Sequence, residues 1–213
     1  MKSKFHHEDI YRNQDVYKVL SNFDLTICGA GALGSNLADS LTRQGFSKIK
    51  VIDMDRVENH NLGTQIWSQS DIGALKTEAL KNKIFRNIGV EIESISKEMT
   101  TSNVAKFLKR SSLVIDAFDN AKSRQLLQDE VRKQKLACIH AGLFADYGEV
   151  VWDENYKVPK DGEGDVCDYP LARNVIMFTV TILSEEILSF CLNKNHKKRN
   201  LAITLKDLKI NGY

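Results

Sequence analysis

Residues 29–34 read GAGALG. They follow a short β-prone run, LTIC at 25–28, and open a segment where Leu33, Leu37 and Leu41 recur at helical spacing until Gly45. A G-x-G-x-x-G turn between a strand and a helix leaves the fold little freedom. Gly29 permits the tight turn, Gly31 lets a phosphate approach the backbone, and Gly34 allows close helix–strand packing. A second strand over 48–52 completes a βαβ unit, because parallel neighbours need a crossover between them. The helix start beside Ala32 offers unpaired N–H groups and a positive dipole end to an anion. Asp53 closes the second strand, where a carboxylate can accept hydrogen bonds from ribose hydroxyls.

The alternation continues. Apolar spacing predicts a helix over 75–85, a strand over 90–95, a short helix over 104–108 and a buried strand over 113–117. A polar-faced helix over 121–134 and a strand over 137–141 come next. This pattern predicts an α/β, Rossmann-like fold with a mostly parallel sheet and helices on both faces. After Gly142 the pattern changes to a strand over 147–152 and a loop, VPKDGEGDVCDYP, that holds both prolines. The apolar stretch over 171–192 is interrupted by Glu185 and Glu186, so it reads as a buried helix rather than a membrane span. A strand pair or edge strand over 201–210 adds a small antiparallel C-terminal extension.

A length of 213 residues suits a single domain over 1–213. The formal charge of +2 implies no global attraction to nucleic acid or membrane, and KNHKKR at 194–199 reads as a solvated loop. The four cysteines form no C-x-x-C pair. Cys28, Cys138 and Cys191 sit in apolar runs and read as small buried hydrophobes, a pattern suited to a reducing cytosol. The N-terminus is too polar for a signal peptide, so the expected address is the cytoplasm. His140, ending a strand, reads as a satisfied core or rim histidine; His6 and His7 lack metal-binding spacing.

The glycine turn and Asp53 serve NAD or ATP equally. The segment after Asp53 is richer in polar groups than a nicotinamide site requires. Asp55, Glu58, Asn59, His60, Asn61, Gln65 and Lys76 crowd the region beyond the strand ends, and the strand LVIDA runs into Phe118, Asp119 and Asn120. A lysine can neutralise charge developing on a phosphate, and a carboxylate can hold magnesium.

The ordered set GAGALG, D-x-D-x-V-E-x-x-N-L-x-x-Q, D-I-G-x-x-K and D-A-x-D-N-x-x-x-R resembles the ThiF/MoeB/HesA family of ubiquitin-activating-like adenylyltransferases. The match runs from Arg12 to about Glu149. The resemblance implies that ATP and Mg²⁺ adenylate the C-terminal glycine carboxylate of a ubiquitin-like or sulfur-carrier β-grasp protein, releasing pyrophosphate. It implies that Gly29, Gly31, Ala32 and Gly34 form the nucleotide turn and that Asp53 and Asp55 stand at the ribose end. Asn61, Leu62 and Gln65 belong to the phosphate-facing loop, Lys76 is the main electrostatic catalyst, Asp119 the magnesium ligand and Asn120 its neighbour. Arg12 matches an arginine supplied by the other subunit of a homodimer. Residues 1–22 are then an arm for dimer and ATP contacts, and 153–170 a loop of crossover type. The attacking group is already a carboxylate, so no general base is required.

The chain departs from the family at three places. Its N-L-x-R-Q motif here reads Asn61-Leu62-Gly63-Thr64-Gln65, so a hydroxyl replaces a permanently charged fork. The two C-x-x-C pairs of many relatives are missing, which excludes their tetrathiolate zinc site. Cys167 lies in the glycine-bearing loop, where some relatives carry a cysteine that receives the activated protein as a thioester before a conjugating or sulfur-transfer partner takes it. Nearby Glu163, Asp165 and Asp168 oppose thiolate formation. Two other readings stay open: a nucleotide-binding scaffold or partner subunit, permitted by Thr64, and an NAD-dependent oxidoreductase resting on the glycine turn and Asp53.

Overall fold

The computed structural model describes residues 2–12, 15–160, 170–206 and 209–212. Two short helices, α1 (His6–Arg12) and α2 (Val16–Leu20), precede β1 (Leu25–Cys28), whose four residues are all buried. That unbroken burial marks a central strand covered on both faces. The amphipathic helix α3 (Ala32–Gln44) buries Leu33, Leu37 and Leu41 and ends on the left-handed Gly45, as its spacing predicts. Then come β2 (Ile49–Ile52), α4 (Lys76–Ile88), β3 (Glu93–Ile95), α5 (Val104–Phe107), β4 (Leu113–Asp116) and α6 (Ala121–Gln134). The chain closes with β5 (Ala137–Phe144), β6 (Tyr147–Trp152), α7 (Arg173–Leu192), β7 (Leu201–Thr204) and β8 (Lys209–Gly212).

The eight strands form one sheet in the order β3-β2-β1-β4-β5-β6-β7-β8. The first five run parallel, and β5 to β8 are antiparallel neighbours. This is the expected Rossmann-like α/β architecture with its antiparallel C-terminal extension. Cys28 registers with Ile52 and with Asp116, and Asp116 with His140, so the carboxyl ends of β1, β2 and β4 share one edge, while β5 runs on past it to Phe144 and His140 lies mid-strand rather than at a strand end. Helices cover both faces: α3, α4 and α7 pack over one apolar cluster, and α5 and α6 over another that includes Cys28, Ile52, Val114 and Cys138.

Some expectations change. The strand expected over 90–95 pairs only from Glu93, because Val90 and Ile92 sink into the core before the chain reaches β2. The N-terminal segment is docked: Phe5 is buried and stacks on Tyr17 at 5.0 Å, while Val16 and Leu20 join the core. Cys191, in the last turn of α7, is half-buried rather than buried, and burial pushes its thiol up to about 12. The 194–199 run is only partly solvated, since His196 and Arg199 are tied to the buried Glu186. By length and composition α7 is apolar enough to cross a membrane, yet it packs on the sheet with nine residues buried. Cys167 and most of the glycine-bearing loop lie outside the described residues.

Candidate active site

The three glycines of the turn do different work. Gly29 has φ +100°, and a Cβ there would lie 2.7 Å from the Ala117 carbonyl oxygen. A Cβ on Gly34 would lie 1.9 Å from the Gly29 carbonyl oxygen. Both are packing requirements. Gly31, the N-cap of α3, is the opposite case, for a Cβ there would meet nothing within 4 Å. Open space thus faces the start of a 13-residue helix, the geometry that receives a phosphate. Asp53 sits beside it: Oδ2 accepts the Ala30 N–H at 2.6 Å and Oδ1 the Asp55 N–H at 2.7 Å. Each oxygen keeps a further lone pair for a sugar hydroxyl. Burial pushes the Asp53 carboxyl up, and the Lys76 charge opposes that shift.

Lys76 is 23 positions from Asp53 but reaches its neighbourhood through a short antiparallel link. Arg56 bridges Leu75, the Val57 N–H donates to the Ala74 carbonyl at 2.9 Å, and the Lys76 N–H donates to the Asp55 carbonyl at 2.8 Å. Lys76 Nζ donates to Asp55 Oδ2 at 3.0 Å, with the lysine side chain 10% exposed and Asp55 51%. The ammonium is therefore held ready at the mouth of the site, by a carboxylate that solvent screens.

The loop after Asp55 turns several of its polar groups inward. Asn61 Oδ1 accepts the Glu58 N–H at 2.9 Å inside a reciprocal capping box, and Gln65 Oε1 accepts the Trp67 indole N–H at 2.6 Å. Leu62 packs on the core. Asn36 Nδ2 donates to the Thr64 carbonyl at 3.0 Å and to the Ala32 carbonyl at 2.7 Å, which ties the loop to the first turn of α3. Arg173 Nη1, from the start of α7, donates to the Gly63 carbonyl at 3.1 Å.

At the end of β4, Asp119 is exposed and accepts from Asn120 Nδ2 at 3.2 Å. Asn120 caps α6 by accepting the Ser123 N–H at 2.9 Å. Among the described residues no group of three or more His, Cys, Asp and Glu could hold a metal. A single exposed carboxylate still fits Mg²⁺, which keeps several waters and takes its other oxygens from phosphate. Behind this strand end lies a network that sequence reading missed: buried Asp116 accepts the Phe118 N–H at 3.1 Å and meets Arg124 at 3.3 Å and His140 at 2.8 Å. The arginine closing the D-A-x-D-N-x-x-x-R motif and His140, which reads as a satisfied core histidine and is one, were its visible signals.

Arg12 stands apart from this cluster. It pairs with Glu8 at 2.9 Å and with Glu185 at 2.7 Å. Glu185 lies 12 residues along α7 from Arg173, about 18 Å at the α-helical rise. The structure therefore brings Gly31, Asp53, Asp55 and Lys76 together at the strand ends and leaves Arg12 far along α7.

The ThiF family model matches residues 6–204. The chain belongs to the ThiF family. Among curated relatives, this ThiF-family chain is 28% identical over 135 residues to the sulfur carrier protein ThiS adenylyltransferase of Bacillus subtilis, covering 62% of this chain and 40% of that protein. It is 30% identical over 127 residues to the SAMP-activating enzyme E1 of Haloferax volcanii, covering 59% and 47% respectively. The chain thus spans less than half the length of these two relatives. Its fold is similar to that of E. coli MccB bound to MccA-N7isoASN, with TM-score 0.83 and 17% identity over 100% of this chain and 72% of that one. It is also similar to PaaA, with TM-score 0.81 and 17% identity over 99% and 72%. At that identity the likeness is one of fold.

Proposed function

We propose that this ThiF-family chain binds ATP with Mg²⁺ and adenylates the C-terminal glycine carboxylate of a ubiquitin-like or sulfur-carrier protein. The observation that carries this reading is the open cradle at Gly31, with Asp53 beside it and Lys76 poised on Asp55. Asp53 receives the ribose hydroxyls, and the start of α3 faces the phosphates. A carboxylate oxygen of the carrier attacks the α-phosphorus. The bond from that phosphorus to the bridging oxygen breaks, and pyrophosphate departs with the electron pair. No proton is transferred, which agrees with a site that needs no base. Lys76 exchanges Asp55 for the phosphate oxygens and opposes the charge that builds there. Asp119 would hold Mg²⁺, which shields pyrophosphate charge when bound. Arg12 acts on the site of a second copy in a cytoplasmic homodimer, leaving Glu185 to do so. Thioester transfer to Cys167 rests on the resemblance alone.

The decisive experiment is ATP–pyrophosphate exchange in the presence of carrier proteins ending in Gly-Gly. Exchange should depend on the carrier and fall by about a hundredfold or more in Lys76→Ala, the scale for removing one charged stabiliser of a transition state. ATP binding without exchange on any carrier, unaffected by Lys76→Ala, would replace the enzyme reading with that of a scaffold.

A further inference from the structure

Helices α3 and α7 begin at the same edge of the sheet. Arg173 at the start of α7 reaches the Gly63 carbonyl, and Gly63 adjoins Thr64, which Asn36 ties to the first turn of α3. At the other end of α7, Phe190 meets Phe23, just ahead of β1, with ring centroids 6.2 Å apart. The first turn of α7 therefore lies on the side of the glycine turn. It is also fixed in place. The Ala172 N–H donates to the Ala145 carbonyl at 3.0 Å, and the Ala145 N–H donates to the Pro170 carbonyl at 2.8 Å.

The Arg173 side chain is exposed, and among the described residues it pairs with no carboxylate. A guanidinium carries five N–H donors, and the Gly63 carbonyl occupies one nitrogen. Asn61 to Gln65 offer no charge of their own, and Lys76 is already engaged by Asp55. A polyphosphate on the Gly31 cradle would thus meet one engaged ammonium and, from the start of α7, a guanidinium that among the described residues bonds only the Gly63 carbonyl.

We propose that Arg173 is a second phosphate-binding cation of this site, turning from the Gly63 carbonyl onto the β- and γ-phosphates of bound ATP. This inference rests on the ATP reading. It assigns the role to a residue 110 positions from the loop it serves, outside every motif of the sequence. The planar fork suits phosphate oxygens, and a lysine at the same place would supply only a point charge.

Calorimetric titration of the full chain with ATP and with AMP, both with Mg²⁺, separates the possibilities. Arg173→Ala should weaken ATP by about ten- to hundredfold, the usual range for a lost charge-assisted contact. AMP, which lacks those phosphates, should change by less than about threefold. Arg173→Lys should fall between, and adding Thr64→Arg to Arg173→Ala should recover part of the ATP affinity. Equal affinity of Arg173→Ala and wild type for ATP would overturn the assignment. So would a parallel loss of ATP and AMP with a lowered melting temperature, since that marks a residue that only pins the loop. A wild type that binds neither nucleotide would remove the ATP reading itself.

Discussion

His140 Nδ1 lies 2.8 Å from Asp116 Oδ2, and solvent reaches neither side chain. The other ring nitrogen is 3.1 Å from Asp153 Oδ1, and the ring stacks on Tyr156 at 3.8 Å between centroids. Arg124 closes the group, bonding the Tyr156 hydroxyl at 2.9 Å and the Ala141 carbonyl at 2.8 Å. An imidazole between two carboxylates donates from both nitrogens only when protonated. The arrangement is a consequence of register, since Asp116 and His140 are partners across β4 and β5.

This group predicts a pH dependence. Burial opposes the charged imidazole, but the hydrogen bonds to Asp116 and Asp153 outweigh it and raise the His140 pKa above 6.5. A raised folded-state pKa contributes stability that is full below about pH 6.5 and lost as pH rises through the folded value. Asp153 is held well below its usual 3.8, against burial, by its bonds to His140, Arg132 and Gln128. Its contribution is full above about pH 4 and lost in stronger acid. The unfolding free energy from urea melts should therefore decline from pH 6 to pH 9. His140→Asn should flatten that decline; an unchanged slope would refute it.

The three glycines should separate fold from ligand binding. Gly34→Ala and Gly29→Ala force a Cβ against backbone oxygen and should cost about 3 kcal/mol or more. Gly31→Ala meets empty space at φ −78° and should leave stability within about 1 kcal/mol. Its methyl group nevertheless enters the cradle, so ATP affinity measured by calorimetry should drop about tenfold or more. Normal ATP affinity in a folded Gly31→Ala protein would place the nucleotide elsewhere.

Glu186 should be a stability hub. Its Oε1 accepts from Trp152 Nε1 at 3.0 Å and from the Arg199 N–H at 2.9 Å and meets His196 Nε2 at 2.8 Å, while Oε2 accepts from Arg199 Nε at 2.8 Å. Those bonds lower its pKa in spite of burial, so its stabilisation is present above about pH 4.5 and fades as pH falls. Glu186→Ala strands a buried indole N–H and takes the carboxylate from His196 and the half-exposed Arg199, and should cost about 1–3 kcal/mol. Trp152 fluorescence should shift to the red; an unshifted spectrum with a loss below about 1 kcal/mol would count against the hub.

Arg12 and Lys76 offer a test of subunit sharing. If Arg12 completes the site of a second copy, Arg12→Ala and Lys76→Ala are each defective in exchange alone. Their mixture forms heterodimers with one intact site and should regain exchange. A mixture no better than its components would confine Arg12 to its pair with Glu185. In that case the pair contributes about 1 kcal/mol or less, because Glu185 is 49% exposed.

Much of the architecture was legible in local pattern. LTIC, the Leu33–Leu37–Leu41 spacing and Gly45 foretell β1, α3 and the point where that helix ends, because each signal is carried within a few residues. The edge strand β3 was overestimated, since Val90 and Ile92 are apolar for core packing rather than for a ladder. As candidates for the site, Gly31 and Asp53 could be named from spacing and Lys76 from the resemblance to the ThiF family. Asn61, Gln65 and Asn120 could not be fully read, because a polar side chain in a loop looks the same whether it meets a ligand or caps its own turn.

The sequence by itself determined the βαβ unit, the glycine turn and the change from parallel to antiparallel strands, all written in short-range periodicity. Only the tertiary structure decided that Asp116 faces His140, that Arg173 reaches Gly63 and that Arg12 binds Glu185. The reason is physical: burial is patterned locally along the chain, whereas the partner of a charge is set by strand register and helix direction, which emerge once distant segments pack.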